Sequence, residues 1–301
     1  MTKIDFDTIA KQFEQIQDRA CRQIEQADGK STFQSDQWEK EIGTGTTRVL
    51  QEGNKIEKAA INFSKIKGQF TADMAKMAGK QGKNFSATGV SSIIHPRHPF
   101  LPIIHMNIRY FELDNNEYWY GGGIDLTPHY IDKKQAVHFH QQLKNFCDGY
   151  HPDFYPRFKQ QADEYFYLPH RHETRGVGGI FFDQLNTNCG LSASRLFDFV
   201  RQLGNLYPRL YATILENEPT KEATQHQKQW QALRRSRYVE FNLLHDRGTK
   251  FGIASGGNTE SILLSMPPTA QWFYNFAPEP GSPEAQTMAM LKKGLDWINM
   301  A

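Results

Sequence analysis

Residues Ser91–Tyr130 read SSIIHPRHPFLPIIHMNIRYFELDNNEYWYGGGIDLTPHY. At the centre of this stretch, from Ile103 to Phe111, the side chains alternate between two characters. Successive residues of an extended strand point to opposite faces, so Ile104, Met106, Ile108 and Tyr110 share one face. His105, Asn107, Arg109 and Phe111 share the other. An ordinary half-buried strand shows solvent a mixture of Lys, Glu, Thr and Ser. Here an acid–base group, an amide and a guanidinium stand in register, about 7 Å from one to the next. Such a face predicts the floor of a polar site.

Outward from this strand, others are predicted over 85–94 and 117–126, the latter after the turn Asp114-Asn115-Asn116. Strands over 44–52 and 55–64 flank the hairpin-like Glu52-Gly53-Asn54. The run GVGGIFFDQL, 176–185, reads as a buried strand. Two more are predicted over 236–244 and 249–255, on either side of His245-Asp246-Arg247-Gly248. Phe6, Ile9, Phe13, Ile16, Ala20 and Ile24 recur at helical spacing and predict an amphipathic helix over 5–28. Further helices are expected over 71–80, 132–148, 153–168, 191–216 and 222–234. A last one starts near Ser282-Pro283-Glu284, where Ser caps and Pro takes the first turn. Strands joined by short turns pair antiparallel, and the helices are numerous enough to cover both faces. The expected fold is a single α+β domain over residues 1–301, a large, mainly antiparallel sheet between helical layers.

A net charge of +2 is too balanced for a nucleic-acid surface, which shows a clustered basic face. The N-terminus, MTKIDFDTIAKQFEQI, is charged and has no apolar signal core. No window approaches the ~20 apolar residues of a membrane span. Cys21, Cys147 and Cys189 include no C-x-x-C pair, which disfavours a disulfide framework or thiolate site. These features predict a soluble, cytoplasmic protein with neither nucleic acid nor membrane as partner.

Three residue types carry candidate chemistry. Histidines crowd between His95 and His172, as in a metal centre or as hydrogen-bonded core histidines; no H-E-x-x-H pair favours the first. Arg97, Arg109, Arg171, Arg175, Arg234, Arg235, Arg237 and Arg247 suit bidentate binding of carboxylates on a polyanionic small molecule, or ion pairs of the protein itself. Gly121-Gly122-Gly123 weakens a strand and calls for a bulge or a close approach. On the same strand Asp125 is either a proton-handling carboxylate or a cap for Thr127-Pro128. Tyr238, Glu240 and Asn242 alternate with Val239, Phe241 and Leu243, and Ser255–Glu260 reads as a helix start suited to an anion.

The runs GVSSIIHPRHPFLPIIHMNIRYFE, WYGGGIDLTPHY, YFYLPHRHETRGVGGIFFD, RYVEFNLLHDRGTKFG and ESILLSMPP, in this order, closely resemble the oxygen-dependent coproporphyrinogen III oxidases, bacterial type. The resemblance runs from about residue 40 to the C-terminus. It implies a large antiparallel sheet between helical layers, assembled as a homodimer through about Tyr238–Phe273. It also implies oxidative decarboxylation of two propionates of coproporphyrinogen III to vinyl groups, with dioxygen as co-substrate, in haem biosynthesis. By motif match, His105 is the proton donor and Asp125 the carboxylate that acts on a pyrrole N–H. Ser91, Asn107, Ile108, Arg109, Gly256, Gly257 and Asn258 fall on substrate-contact positions. His95, His105, His140 and His170 fall on positions assigned to a divalent metal, Mn or Fe. Many relatives carry an arginine where this chain has Asn258, which removes one candidate clamp for a propionate.

Overall fold

The computed structural model describes residues 3–254 and 256–300. Chain order runs α1 (Phe6–Asp28), β1 (Gln34–Lys40), β2 (Gly43–Gln51), β3 (Ile56–Gln69), α2 (Ala72–Ala78), β4 (Asn84–Pro96), β5 (Ile103–Leu113) and β6 (Tyr118–Thr127). It continues with α3 (Lys133–Asp148), α4 (Phe154–Tyr165), the short strands β7 (Tyr167–Leu168) and β8 (Glu173–Thr174), and β9 (Gly178–Leu185). The C-terminal third holds α5 (Ala193–Glu216), α6 (Gln225–Leu244), α7 (Arg247–Ala254), α8 (Thr259–Leu263) and α9 (Pro283–Ala289). Seven strands form one sheet in the order β1-β2-β3-β4-β5-β6-β9, every neighbouring pair antiparallel. This is the expected α+β architecture.

The alternation of β5 sets the two sides of the sheet. Ile104, Met106, Ile108 and Tyr110 are fully buried in one cluster with Phe13 and Ile16 of α1 and Leu203 and Tyr207 of α5. Each large aliphatic side chain so buried contributes about 1.5–3 kcal/mol. The packing is close: a Cβ on Gly204 would lie 2.8 Å from the Ile108 side chain and 2.9 Å from that of Ile16. Helix α1 starts where the Asp5 carboxylate accepts from the Thr8 N–H, and stops at Gly29, whose φ of 75° is left-handed. Helix α6 supplies the opposite layer, with Tyr238 packed on Ala60, Ile93 and Ile103, and Phe241 on Phe166 and Leu168.

Two expectations are corrected. The strands predicted over 236–244 and 249–255 are helices α6 and α7; Ser255 lies outside the described residues. From Trp230 to Asn242 all but Val239 are buried, including Arg234, Arg235, Arg237 and Glu240. A helix buried nearly all round has no apolar stripe, and its paired charges imitate the alternation of a strand. The edge strand β1, QSDQWEK, was not predicted. It is exposed along almost its whole length, so no burial pattern marks it.

Candidate active site

The polar face of β5 opens on a cavity of about 350 Å³. Its floor rests on three rows of paired residues across β4, β5 and β6, Gly89–Arg109–Gly121, Ser91–Asn107–Gly123 and Ile93–His105–Asp125, in which Gly121 and Asp125 lie outside the lining itself. The walls include Trp38, Asn62, Tyr165, Phe166, Phe181 and Tyr238, and the roof comes from Thr249, Phe251, Gly252, Gly257, Asn258, Ser261 and Ile262. The roof is fastened to the sheet by polar contacts: Asn62 Nδ2 donates to Ser261 O (2.9 Å), Lys58 Nζ to Met266 O (2.8 Å), and Lys40 Nζ to Gly257 O (3.2 Å). Apolar and aromatic walls with a few placed polar groups suit a small organic ligand.

The three-glycine run serves the floor. A Cβ on Gly121 would stand 2.5 Å from Arg109 Nε, so glycine lets the guanidinium lie across β6. Cβ atoms on Gly122 and Gly123 would meet Asn107 O at 2.5 Å and Ile180 O at 2.3 Å. Arg109 Nη2 donates to Asp183 Oδ1 (2.9 Å) and Nη1 to Asn107 Oδ1 (3.2 Å). A guanidinium has five N–H donors, so others stay available for a ligand carboxylate.

His105 Nδ1 lies 2.9 Å from Asp125 Oδ1, and Arg175 Nη2 donates to Asp125 Oδ2 at 2.7 Å. Since the carboxylate only accepts, Nδ1 carries the proton and Nε2 is the free ring nitrogen. Burial by itself raises the Asp125 pKa, but the Arg175 charge and the His105 contact outweigh it and hold the carboxyl below its ordinary value. Asp125 is therefore an ionised carboxylate behind His105. It is 2% exposed, and the cavity is lined by His105 instead.

The structure brings Ser91, His105, Asn107, Arg109, Gly257 and Asn258 to one cavity. Gly256 sits at its edge, exposed, with φ 72°. The Ile108 side chain is in the apolar core on the other face, which leaves only its backbone to face a ligand. Asn258 caps α8 through its side chain. Asp183 and Phe181 belong to the site and were not singled out in the sequence, although the period of β9 places both on one face. The Arg234–Arg237 cluster does not reach the cavity. Arg234 pairs with Glu173 (2.9 Å), Arg235 with Glu57 (2.5 Å) and Arg237 with Glu240 (3.0 Å), which anchors α6.

The four histidines expected around a divalent metal are not brought together. His140 lies in α3 on the apolar-core side, with Nδ1 3.0 Å from Tyr155 Oη and Nε2 3.0 Å from Val177 O. Burial lowers its pKa to about 4, so it is neutral. His95 Nε2 lies 2.9 Å from Ser265 O, and its buried Nδ1 has no partner among the described residues. His170 contacts Glu240 (2.9 Å) through Nε2 and His245 (3.0 Å) through Nδ1. Among the described residues no three His, Cys, Asp or Glu side chains are grouped to hold a metal ion. This donor set does not fit a shared Mn or Fe site.

Over residues 8–297 the sequence matches the family described as coproporphyrinogen III oxidase. The chain belongs to the coproporphyrinogen III oxidase family. Its reaction is the oxidative decarboxylation of coproporphyrinogen III in haem biosynthesis. The coproporphyrinogen oxidase cavity agrees with that substrate, a macrocycle with an apolar body and carboxylates at its rim: aromatic walls surround one accessible guanidinium and one imidazole.

Proposed function

We propose that the cavity over β4–β6 binds coproporphyrinogen III, with Arg109 holding a propionate and His105 transferring protons through Nε2. Dioxygen is the electron acceptor. Conversion of a propionate side chain to a vinyl group and carbon dioxide releases two electrons. With dioxygen and one added proton the balance closes on hydrogen peroxide. His105 is the one histidine on the cavity floor, and Asp125 acts through it by fixing its tautomer and stabilising the protonated ring. Ser91, Asn107 and the backbone at Gly257 border the same space and complete the substrate contacts.

The observation that carries this reading is the single polar row His105–Asn107–Arg109 facing an aromatic-walled cavity. The test is product formation from coproporphyrinogen III by chelator-treated protein, in air and without oxygen. Vinyl product in air alone, unchanged by added Mn or Fe, is expected. Product without oxygen, or activity restored only by the metal, would overturn the reading. Bound porphyrin with no product in either atmosphere would make the protein a carrier.

The resemblance also suggests a homodimer, and the surface supports it. Leu243, Leu244, Ile253, Leu263, Trp272, Phe273, Tyr274 and Phe276 are exposed, and they account for most of the large exposed apolar residues. Exposed apolar residues in this number support an interaction surface. It begins at Leu243, since Tyr238 is itself buried on the sheet. Sedimentation of Leu244→Glu/Trp272→Glu protein should show monomer where the parent sediments as a dimer. A cytoplasmic setting is supported by Cys21, Cys147 and Cys189 all being free thiols. No helix among the described residues is long and apolar enough to cross a membrane.

A further inference from the structure

We infer that Arg175 is the positioning residue of this site: caged by three aromatic rings, it fixes the Asp125 carboxylate so that His105 presents Nε2 to the cavity. Arg175 belongs by type to the arginines that suit a substrate carboxylate, yet it is 2% exposed and does not line the cavity. Its guanidinium carbon lies 4.4 Å from the ring centre of Phe166, 4.5 Å from Phe241 and 4.7 Å from Tyr238. Rings at these distances attract a cation through their faces and leave a planar group little freedom to turn. Among the described residues its side chain donates only to Asp125, and the buried Nε finds no partner there.

The backbone is built to deliver this side chain. Arg175 N–H donates to Phe166 O (2.8 Å), and Val177 N–H to Leu126 O (3.0 Å), on either side of Gly176. A Cβ on Gly176 would stand 2.3 Å from Leu126 O and 2.6 Å from Thr127 Cα. Glycine there lets the chain pass against β6 at the residues following Asp125, which places Arg175 directly on the carboxylate. The other ionisable groups near the pair are His105 on β5, Tyr238 on α6, Tyr207 on α5 and Asp246 after α6. A buried ion pair is often no more stabilising than apolar residues of the same volume. Here its geometric product is a carboxylate with one oxygen locked and the other aimed at His105 Nδ1.

The inference rests on the proton-transfer role proposed for His105, and the test separates the two. Arg175→Lys keeps the charge and loses the plane held between the rings. Ring-nitrogen spectra of protein labelled with 15N-histidine, with the His105 signal assigned by its loss in His105→Gln, report the tautomer independently of turnover. The parent should show His105 protonated at Nδ1. In Arg175→Lys that signal should become a mixture of tautomers, with kcat falling about 10- to 100-fold and KM changing less than about threefold. A single Nδ1–H tautomer and parent-like kcat in Arg175→Lys would overturn the inference. So would a fall in kcat with the tautomer unchanged, the mark of a merely structural residue. Should Arg175→Lys fail to fold, Arg175→Met, which removes the clamp and keeps the Asp125 carboxylate, gives the same readout, with tautomer mixing expected and a single Nδ1–H tautomer overturning the inference. If the tautomer shifts as expected but His105→Gln keeps full activity, the positioning holds and the role of His105 falls.

Discussion

The two faces of β5 differ in almost every physical respect although they are one residue apart in sequence. Ile104, Met106, Ile108 and Tyr110 are sealed between α1 and α5. His105, Asn107 and Arg109 are partly exposed to a cavity, beside glycines that leave room for a ligand or for a neighbour's side chain. One face carries stability and nothing titrates on it in the working range. The other carries chemistry and is held open by α6 and the roof rather than filled. The difference teaches that this strand is a partition, and substitutions on its two sides should separate into two phenotypes.

Asp125 should break the separation most strongly, because it belongs to both. Asp125→Ala removes the partner of His105 and also leaves Arg175 as an unpaired buried charge. Turnover should fall by about 10²–10⁴-fold, and denaturant unfolding should show a loss of about 3–5 kcal/mol. Ile108→Ala sharpens the comparison from the apolar side. It should cost about 2–5 kcal/mol in the same unfolding experiment, while kcat of the folded protein stays near the parent value. Arg109→Ala is its counterpart on the cavity side. Losing charge-assisted bonds to a propionate, about 1.5–3 kcal/mol, should raise KM roughly 10- to 100-fold, with the melting temperature close to that of the parent.

The smallest effect is in pH dependence. The Asp125 pKa is held below that of the unfolded chain, about 3.9. Its contribution to stability is therefore complete above that value and is lost as pH falls through the lower folded value. The stability difference between the parent and Asp125→Asn should shrink below about pH 4, whereas the difference between the parent and Ile108→Ala should stay level. Urea titrations at several pH values decide it, and parallel behaviour of the two variants would contradict the ion-pair geometry.

How much of this was legible follows the same partition. β5 was readable because Ile104, Met106, Ile108 and Tyr110 fill one face while His105, Asn107 and Arg109 alternate with them on the other, so period two stands out. The floor residues His105, Asn107 and Arg109 came with it, and Asp125 was singled out on the strand that follows the three glycines; its pairing with His105 is seen only in the sheet. Helix α6 was readable only in its first half, expected over 222–234; beyond it the turns around Arg234, Arg235 and Arg237 are buried in ion pairs that sequence periodicity scores as exposed. The histidines misled for a related reason. Closeness in sequence between His95 and His170 says nothing of the sheet that separates His140 from His105. The partnership of Arg175 with Asp125 depends on Gly176 passing against β6, a tertiary contact that no local pattern encodes.

The most direct test of the central claim is turnover of coproporphyrinogen III by His105→Gln protein whose melting temperature matches that of the parent. The geometry predicts kcat lower by about 10²–10⁴-fold, with substrate affinity nearly unchanged because Arg109 is intact. A kcat within a few-fold of the parent would show that the polar face of β5 binds the substrate without performing the proton transfer.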